Sequence, residues 1–257
     1  MFSPFELPQP IFLLVTDELA SPADFALHQT LVSHLKQHGS KQSNLKRIYL
    51  SVSESWNRLQ MLCSKSGVNI SQNIPLKSLH FIDVLSHLSQ CQSSPNTTAS
   101  PAPLLRTVYD QVALLLTSEN ESLEPGSIVI LDDISSLEWT SDHSPHDLTQ
   151  FCRALRALCL KTQTTLIIRH HIVTPDDPDP VLRNLKQMCS YHMDVRPLSS
   201  GRSGAVSGEI ALHAGPTASL QFDTRKVQLL SRQMALQYRL TDNSVVFFER
   251  GSSRGVL

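Results

Sequence analysis

Residues 11–39 read IFLLVTDELASPADFALHQTLVSHLKQHG, and this stretch decides the fold class. The apolar run from Ile11 to Val15 is too short to span a bilayer, and no Lys or Arg precedes it as a secretory leader requires, so it reads as a buried strand. A loop, Thr16-Asp17-Glu18-Leu19-Ala20-Ser21, leads to a helix expected to begin near Ser21, with Pro22 at its first position and Asp24 three residues on. Ser21 can accept a hydrogen bond from the free amide near Asp24, and Pro22 has no amide to leave unsatisfied. Leu27, Leu31 and Leu35, flanked by His28 and Val32, make one helical stripe that Gly39 is placed to end.

The same grammar repeats along the chain. Ile48, Tyr49, Leu50 and Val52 form a strand, followed by a helix carrying Trp56, Leu59, Met61 and Leu62 as far as Gly67. Leu79 to Ile82 gives a third strand, with a short helix around Val84, Leu85 and Leu88. Residues 89–103 (SQCQSSPNTTASPAP) have no apolar period and read as a disordered surface insertion. A long helix then carries Leu105, Val108, Val112 and Leu115, and Glu124-Pro125-Gly126 breaks the chain before the strand Ile128 to Leu131, which is apolar at every position and belongs in the centre of a sheet. Leu148, Phe151, Cys152, Leu155, Leu158 and Cys159 recur at three and four, predicting an amphipathic helix over 147–160 with both cysteines in the core, before a strand from Thr165 to Ile168. A Pro and Asp loop at 174–180 precedes a helix over Leu182 to Met188.

From there the pattern changes to alternation. Tyr191 to Val195 and Glu209 to His213 are strands joined by a flexible Gly and Ser loop at 199–208, and all are expected to be antiparallel. Leu236, Tyr238 and Leu240 share a face before Asp242-Asn243, and Val245 to Phe248 returns as a hairpin. Alternating strand and helix, then antiparallel strands, specifies an α/β fold: a mainly parallel sheet with helices on both faces and an antiparallel C-terminal extension. With 257 residues, the chain is read as one domain spanning 1–257.

Hydrophobic residues at 40% and charged residues at 18% place the chain among globular proteins. The 22 Lys plus Arg against 23 Asp plus Glu leave a formal charge of -1, which excludes a global basic field that would draw in nucleic acid, so any RNA contact is local or shared with partners. The five cysteines (Cys63, Cys91, Cys152, Cys159, Cys189) form no C-x-x-C pair and are odd in number, arguing against a disulfide framework or a zinc cage and for a reducing compartment, cytosol or nucleus. The N-x-[ST] triplets at Asn69, Asn96 and Asn120 are then chance matches.

A strand, a loop and a helix at the chain start is where a nucleotide-binding domain places its phosphate loop, whose Gly-rich amides and Lys cradle the phosphates. Here none of the 9 glycines is followed by Lys, and Asp17 and Glu18 put negative charge where phosphates would sit. An ordinary sheet domain that never had such a site gives the same observation. Ile128 to Leu131 followed by Asp132-Asp133 has the shape of the strand whose terminal Asp helps hold magnesium in phosphate-loop ATPases, yet Asp after a buried strand also caps or turns, and the structural reading is favoured over metal binding. Gly251-Ser252-Ser253-Arg254-Gly255 matches G-x-S-x-G, but only Val256 and Leu257 follow, so no acid or His comes after it and a hydrolase is rejected. His34 and His38 sit four apart without a third ligand nearby, which favours a solvated or core-edge pair over a metal site. Arg169, His170 and His171 close the strand after the acidic one, where open α/β sheets place ligand loops, and are the candidates for RNA phosphate contact. Arg153, Arg156, Lys161, Arg183 and Lys186 read as a solvated helix face.

Taken in order, these segments resemble the Elongator complex protein 6 family. The likeness covers FLLVTDELASPADF (Phe12 to Phe25), SVSES (Ser51 to Ser55), KSGVNI (Lys65 to Ile70), IVILDD (Ile128 to Asp133) and YRLTDNSVVFFERG (Tyr238 to Gly251), the last being the most specific. The resemblance implies a RecA-like fold with a degenerate phosphate loop. It also implies a place in a hexameric ring, with two copies each of Elongator subunits 4, 5 and 6, that binds tRNA, docks on the catalytic subunits and supports carboxymethyl-type modification of wobble uridines. Any nucleotide turnover would belong to the assembled ring, so the chain alone is expected to be no enzyme, with no cofactor, metal or membrane anchor, and to reside in cytoplasm and nucleus. Asp132 matches the acidic strand end of the family, and the loops at 134–146 and 170–180 match pore-lining positions of RecA-like rings. The competing readings are an autonomous nucleotide hydrolase using Asp132 or Asp133 for magnesium and a RecA-like recombination accessory that binds DNA.

Overall fold

The computed structural model describes residues 5, 7–38, 45–72, 78–86, 102–117, 126–140, 143–174, 179–201, 203–218, 227–242 and 244–251. In chain order these form β1 (Phe12–Glu18), α1 (Asp24–His38), β2 (Arg47–Ser51), α2 (Trp56–Lys65), β3 (Leu79–Asp83), α3 (Ala102–Thr117), β4 (Ile128–Asp132), α4 (Ile134–Thr140), α5 (Pro145–Lys161), β5 (Thr165–Ile172), α6 (Pro180–Met188), β6 (Tyr191–Arg196), β7 (Gly208–Ala214), β8 (Leu236–Leu240) and β9 (Val245–Phe248). They build one nine-stranded sheet in the order β3-β2-β4-β5-β1-β6-β7-β8-β9. Strands from β3 to β6 run parallel, and β7, β8 and β9 each pair antiparallel with the preceding strand.

The period of two along each strand sends alternate residues into two cores. Leu14, Leu50, Val129, Leu131 and Ile168 pack with Val108 and Val112 of α3, Cys152 and Leu155 of α5, and Leu185 of α6. On the opposite face Leu13, Val15, Tyr49, Ile130 and Ile167 pack with Leu27, Leu31 and Leu35 of α1 and Leu59 and Cys63 of α2. Strand β4 lies between β2 and β5 under both helix layers, and all five of its residues are buried. That burial explains its continuous apolar run. Cys152 and Cys159 are in the core, and burial pushes both thiols up to about 12. Among the described residues no helix is long and apolar enough to cross a membrane.

Helix starts follow local chemistry. Ser144 and Asp147 close a reciprocal capping box on α5, with Pro145 in its first turn. Asp179 accepts from the Leu182 amide at 2.6 Å to cap α6, where Pro180 again comes first.

Several expectations change. Thr16, Asp17 and Glu18 belong to β1 rather than to a loop, and α1 starts at Asp24 with no cap from Ser21. The Ser21 hydroxyl instead lies 2.7 Å from the Tyr238 hydroxyl and donates to the Ser207 carbonyl at 3.3 Å, because the connection folds back over the C-terminal strands. Strand β6 is parallel to β1, so the change to antiparallel pairing comes one strand later than alternation suggested. Strand β5 continues through Arg169, His170 and His171 to Ile172, and Leu116 joins Leu105, Val108 and Val112 as buried residues of α3, with Leu115 partly buried against the same core. The segments matched to pore loops are largely regular: 134–140 is α4, 145–146 opens α5 and 170–172 ends β5. Gly208 opens β7 instead of ending the Gly and Ser loop. Of the insertion expected at 89–103, Ala102 and Pro103 instead open α3, and 89–101 lies outside the described residues, as do Gly39, Glu124-Pro125, residues 175–178, Arg202 and Asn243.

Candidate functional site

The carboxyl ends of β1, β4 and β5 meet above α1, the crevice where open parallel sheets receive ligands. The strand register sets Val15 beside Arg169 and Asp17 beside His171, so these four share one face, and Tyr49 and Asp132 join it from β2 and β4. The Arg169 guanidinium is the centre of the arrangement. Its Nε donates to Asp17 Oδ2 at 3.1 Å, and its Nη1 lies 2.9 Å from Asp132 Oδ1 and 2.8 Å from Asp24 Oδ1. The side chains of Asp17 and Asp132 are 0% exposed and that of Arg169 is 9% exposed. A buried arginine in a core strand persists only with such partners, since an isolated charge in that position would be prohibitive.

Asp17 is satisfied on every side. Its Oδ2 also accepts from the Ala23 amide at 2.6 Å, just ahead of α1, and its Oδ1 lies 3.0 Å from His171 Nδ1. An acid at this place complements the positive end of α1, and Asp24 in the first turn does the same. Asp132 Oδ2 accepts from the Tyr49 hydroxyl at 2.8 Å. Burial pushes the Asp132 carboxyl up to about 6, against the pull of Arg169 and Tyr49. Burial works against the charge on Arg169, but Asp17, Asp132 and Asp24 outweigh it and raise its pKa. The hydrogen bond with Asp17 raises the pKa of His171.

The two neighbouring acids part company. Asp133 turns away from Asp132 to serve α4, its Oδ1 accepting from the Ser136 amide at 2.5 Å and the Ser135 hydroxyl at 3.0 Å, its Oδ2 from the Ser136 hydroxyl at 2.9 Å. Arg169 and His171 lie on one face of β5 and His170 on the other, as strand alternation requires, with His170 Nε2 2.9 Å from Asp179 Oδ2. His170 and His171 border a groove of about 550 Å³ between α4 and α6 whose walls include Trp139, Val173 and Arg183. Trp139 is 73% exposed and Val173 56%. Reading the sequence missed Asp24, Tyr49 and Asp179 as members of this region. The available signal was Arg169 itself, a charge inside a core strand that demands carboxylates.

Beside the crevice, Thr16 Oγ1 donates to Asp194 Oδ1 at 3.3 Å and lies 2.7 Å from His192 Nε2. Burial lowers the His192 pKa to about 4 from 6.5. An unfolded chain therefore takes up this proton first, so the stability His192 contributes is complete above pH 6.5 and is lost as pH falls toward 4. Thermal midpoints measured at neutral and mildly acid pH are expected to fall less for His192→Gln than for the parent. An equal fall in both would contradict this account.

A magnesium nucleotide does not fit these residues. The turn from Leu19 to Ala23 offers neither Gly nor Lys, the amide facing a would-be phosphate is bonded to Asp17, and Asp132 is bonded to Arg169 and Tyr49. Among the described residues no group of three or more His, Cys, Asp or Glu is arranged to hold a metal ion.

Comparison with known proteins adds kinship to this geometry. The KaiC-like protein of the hyperthermophilic archaeon Pyrococcus horikoshii superposes with a TM-score of 0.64 over 95% of this chain and 93% of its own, at 9% identity, which establishes a RecA/KaiC-like fold and no more. Elongator complex protein 6 of Danio rerio is 24% identical over 261 residues, covering 96% of this chain and 92% of the relative. Its counterpart in Xenopus laevis is 23% identical over 258 residues with the same coverage, and that of Rattus norvegicus 22% over 250 residues, covering 91% and 88%. The sequence model described as Elongation complex protein 6 matches residues 1–242, which run from β1 through β8 and include every residue of the crevice. On that match the chain belongs to the Elongation complex protein 6 family.

Proposed function

We propose that this chain is a non-catalytic subunit of the Elongator complex. In this reading it forms a hetero-hexameric ring with Elongator subunits 4 and 5, and the ring binds tRNA, docks on the catalytic subcomplex and supports carboxymethyl-type modification of wobble uridines in cytoplasm and nucleus. The chain acts as a single domain over 1–257. Family membership supports the assembly role. The observation that carries the non-catalytic part is the engagement of Asp132, the acid at the strand end, with Arg169 and Tyr49.

For RNA contact, the supporting feature is the groove beside His170 and His171, where exposed Trp139 offers a stacking face and Arg183 a phosphate partner. Arg169 contributes to that reading only through His171, because its own guanidinium faces carboxylates.

Mass measurement of the purified chain mixed with subunits 4 and 5 tests the assembly: a mixed hexamer is expected, and failure to form one refutes the proposal. On the assembled ring, Trp139→Ala is expected to weaken tRNA binding about fivefold or more, given roughly 1–3 kcal/mol for a stacked base. An autonomous hydrolase would instead show ATP turnover by the isolated chain that vanishes in Asp132→Ala.

A further inference from the structure

In a working phosphate-loop fold, two opposite charges meet at the crevice: a divalent cation held by the acid at a strand end, and phosphate held by the amides of a helix N-terminus. This chain has a side chain in each place. Three carboxylates from three different elements, Asp17 of β1, Asp24 of α1 and Asp132 of β4, converge on one guanidinium from β5. The amide just ahead of α1, on Ala23, is bonded to the Asp17 carboxylate.

We infer that the chain has internalised both halves of the metal–phosphate pair, with the Arg169 guanidinium standing in for the cation and the Asp17 carboxylate for the phosphate, so that the crevice is closed to metal nucleotide by its own side chains. The inference deepens the non-catalytic reading of this crevice and rests on it, but not on the ring. Charge counting explains why Arg169 is needed. Three carboxylates face one guanidinium, with His171 adding a second positive charge only when protonated. The pocket therefore repels a triphosphate but retains a demand for a cation, which Arg169 meets at no cost in translational entropy because it is tethered. Its planar fork also reaches carboxylates from several directions at once, which a spherical ion of fixed coordination radius would do only with bridging water.

Substituting the arginine should turn this internal demand into external binding. The experiment compares the full-length parent, Arg169→Ala and Arg169→Ala/Asp132→Asn by thermal midpoint and calorimetric titration, with magnesium chloride, ethylguanidinium chloride and magnesium ATP as separate probes and sodium chloride as the ionic-strength control. The parent is expected to respond to none of them beyond the control. Arg169→Ala is expected to gain a saturable rise in midpoint with ethylguanidinium or magnesium, and the double variant to lose most of that rise. If Arg169→Ala does not fold alone, folding on addition of either cation supports the inference, and Arg169→Gln, which keeps more of the volume, is titrated in the same way. Saturable binding of magnesium ATP by the parent, or folded Arg169→Ala and Arg169→Gln proteins indifferent to every cation, overturns it. So does failure of both variants to fold at any cation concentration. Because all readings are taken on the lone chain, a negative result here leaves the ring reconstitution as a separate question.

Discussion

Replacing Arg169 by Met is expected to lower the free energy of unfolding by about 3–5 kcal/mol, the range for breaking a buried ion pair from one side. The size of the effect comes from what is left behind. Asp17 and Asp132 would remain fully buried with the charge that balanced them gone, and Asp24 would lose its 2.8 Å partner. Typical domains are stable by only about 5–15 kcal/mol, so the loss is a large fraction of the whole. Denaturant unfolding of parent and variant checks it through the midpoint at unchanged slope. Adding Asp132→Asn to the Met variant should recover part of the loss, because one orphaned charge is removed while the amide can still accept from Tyr49. Strict additivity of the two substitutions would show that the residues do not act as a cluster.

Gly215→Ala should be nearly as damaging, about 3 kcal/mol, at the upper end for forcing an atom into packed structure. An added methyl would stand 2.2 Å from the Cys189 carbonyl oxygen and 2.8 Å from its carbon. These are backbone atoms, so no side chain can swing aside. The obstruction falls on a junction. The Gly215 amide donates to the Ser190 carbonyl at 2.8 Å, while the Ser190 amide donates to Phe12 at 2.8 Å. Pushing Gly215 outward would therefore loosen the start of β6 from β1 and, with it, the seam between the parallel sheet and its antiparallel extension. Proteolysis and thermal melting report this directly. Full stability of Gly215→Ala would mean the segment relaxes more freely than its hydrogen bonds indicate.

The parallel half of the fold was legible because its signals are local. Continuous apolar runs such as Ile128 to Leu131 and stripes such as Leu27, Leu31 and Leu35 depend only on spacing, and each appears as a buried strand or helix face. Errors gathered where one segment's conformation depends on a distant one. Ser21 is a good helix cap by sequence, yet Tyr238, 217 residues away, engages its hydroxyl, and Asp17 from the end of β1 accepts from the amide ahead of the helix instead. Alternation in Tyr191 to Arg196 marks unequal faces, not strand direction, so the parallel pairing of β6 with β1 had no local signature.

The candidate site divides in the same way. The acids at 17, 132 and 133 and the basic run at 169–171 stand out in sequence, and so does the lack of a phosphate-binding Lys after any glycine. What each residue does with its charge was undetermined. Asp132 and Asp133 are adjacent in sequence but serve Arg169 and helix α4 respectively, and Arg169 and His170 face opposite sides of one strand.

By itself, the amino-acid order settled which segments are strands and helices, that they alternate, and that no glycine-rich, lysine-bearing loop is present, since periodicity and composition act over a few residues. Only the tertiary structure decided that Arg169 lies among Asp17, Asp24 and Asp132, because ion pairing depends on separation in space and strand order brings together residues more than 100 positions apart along the chain, |i−j| being 152 for Asp17 and Arg169.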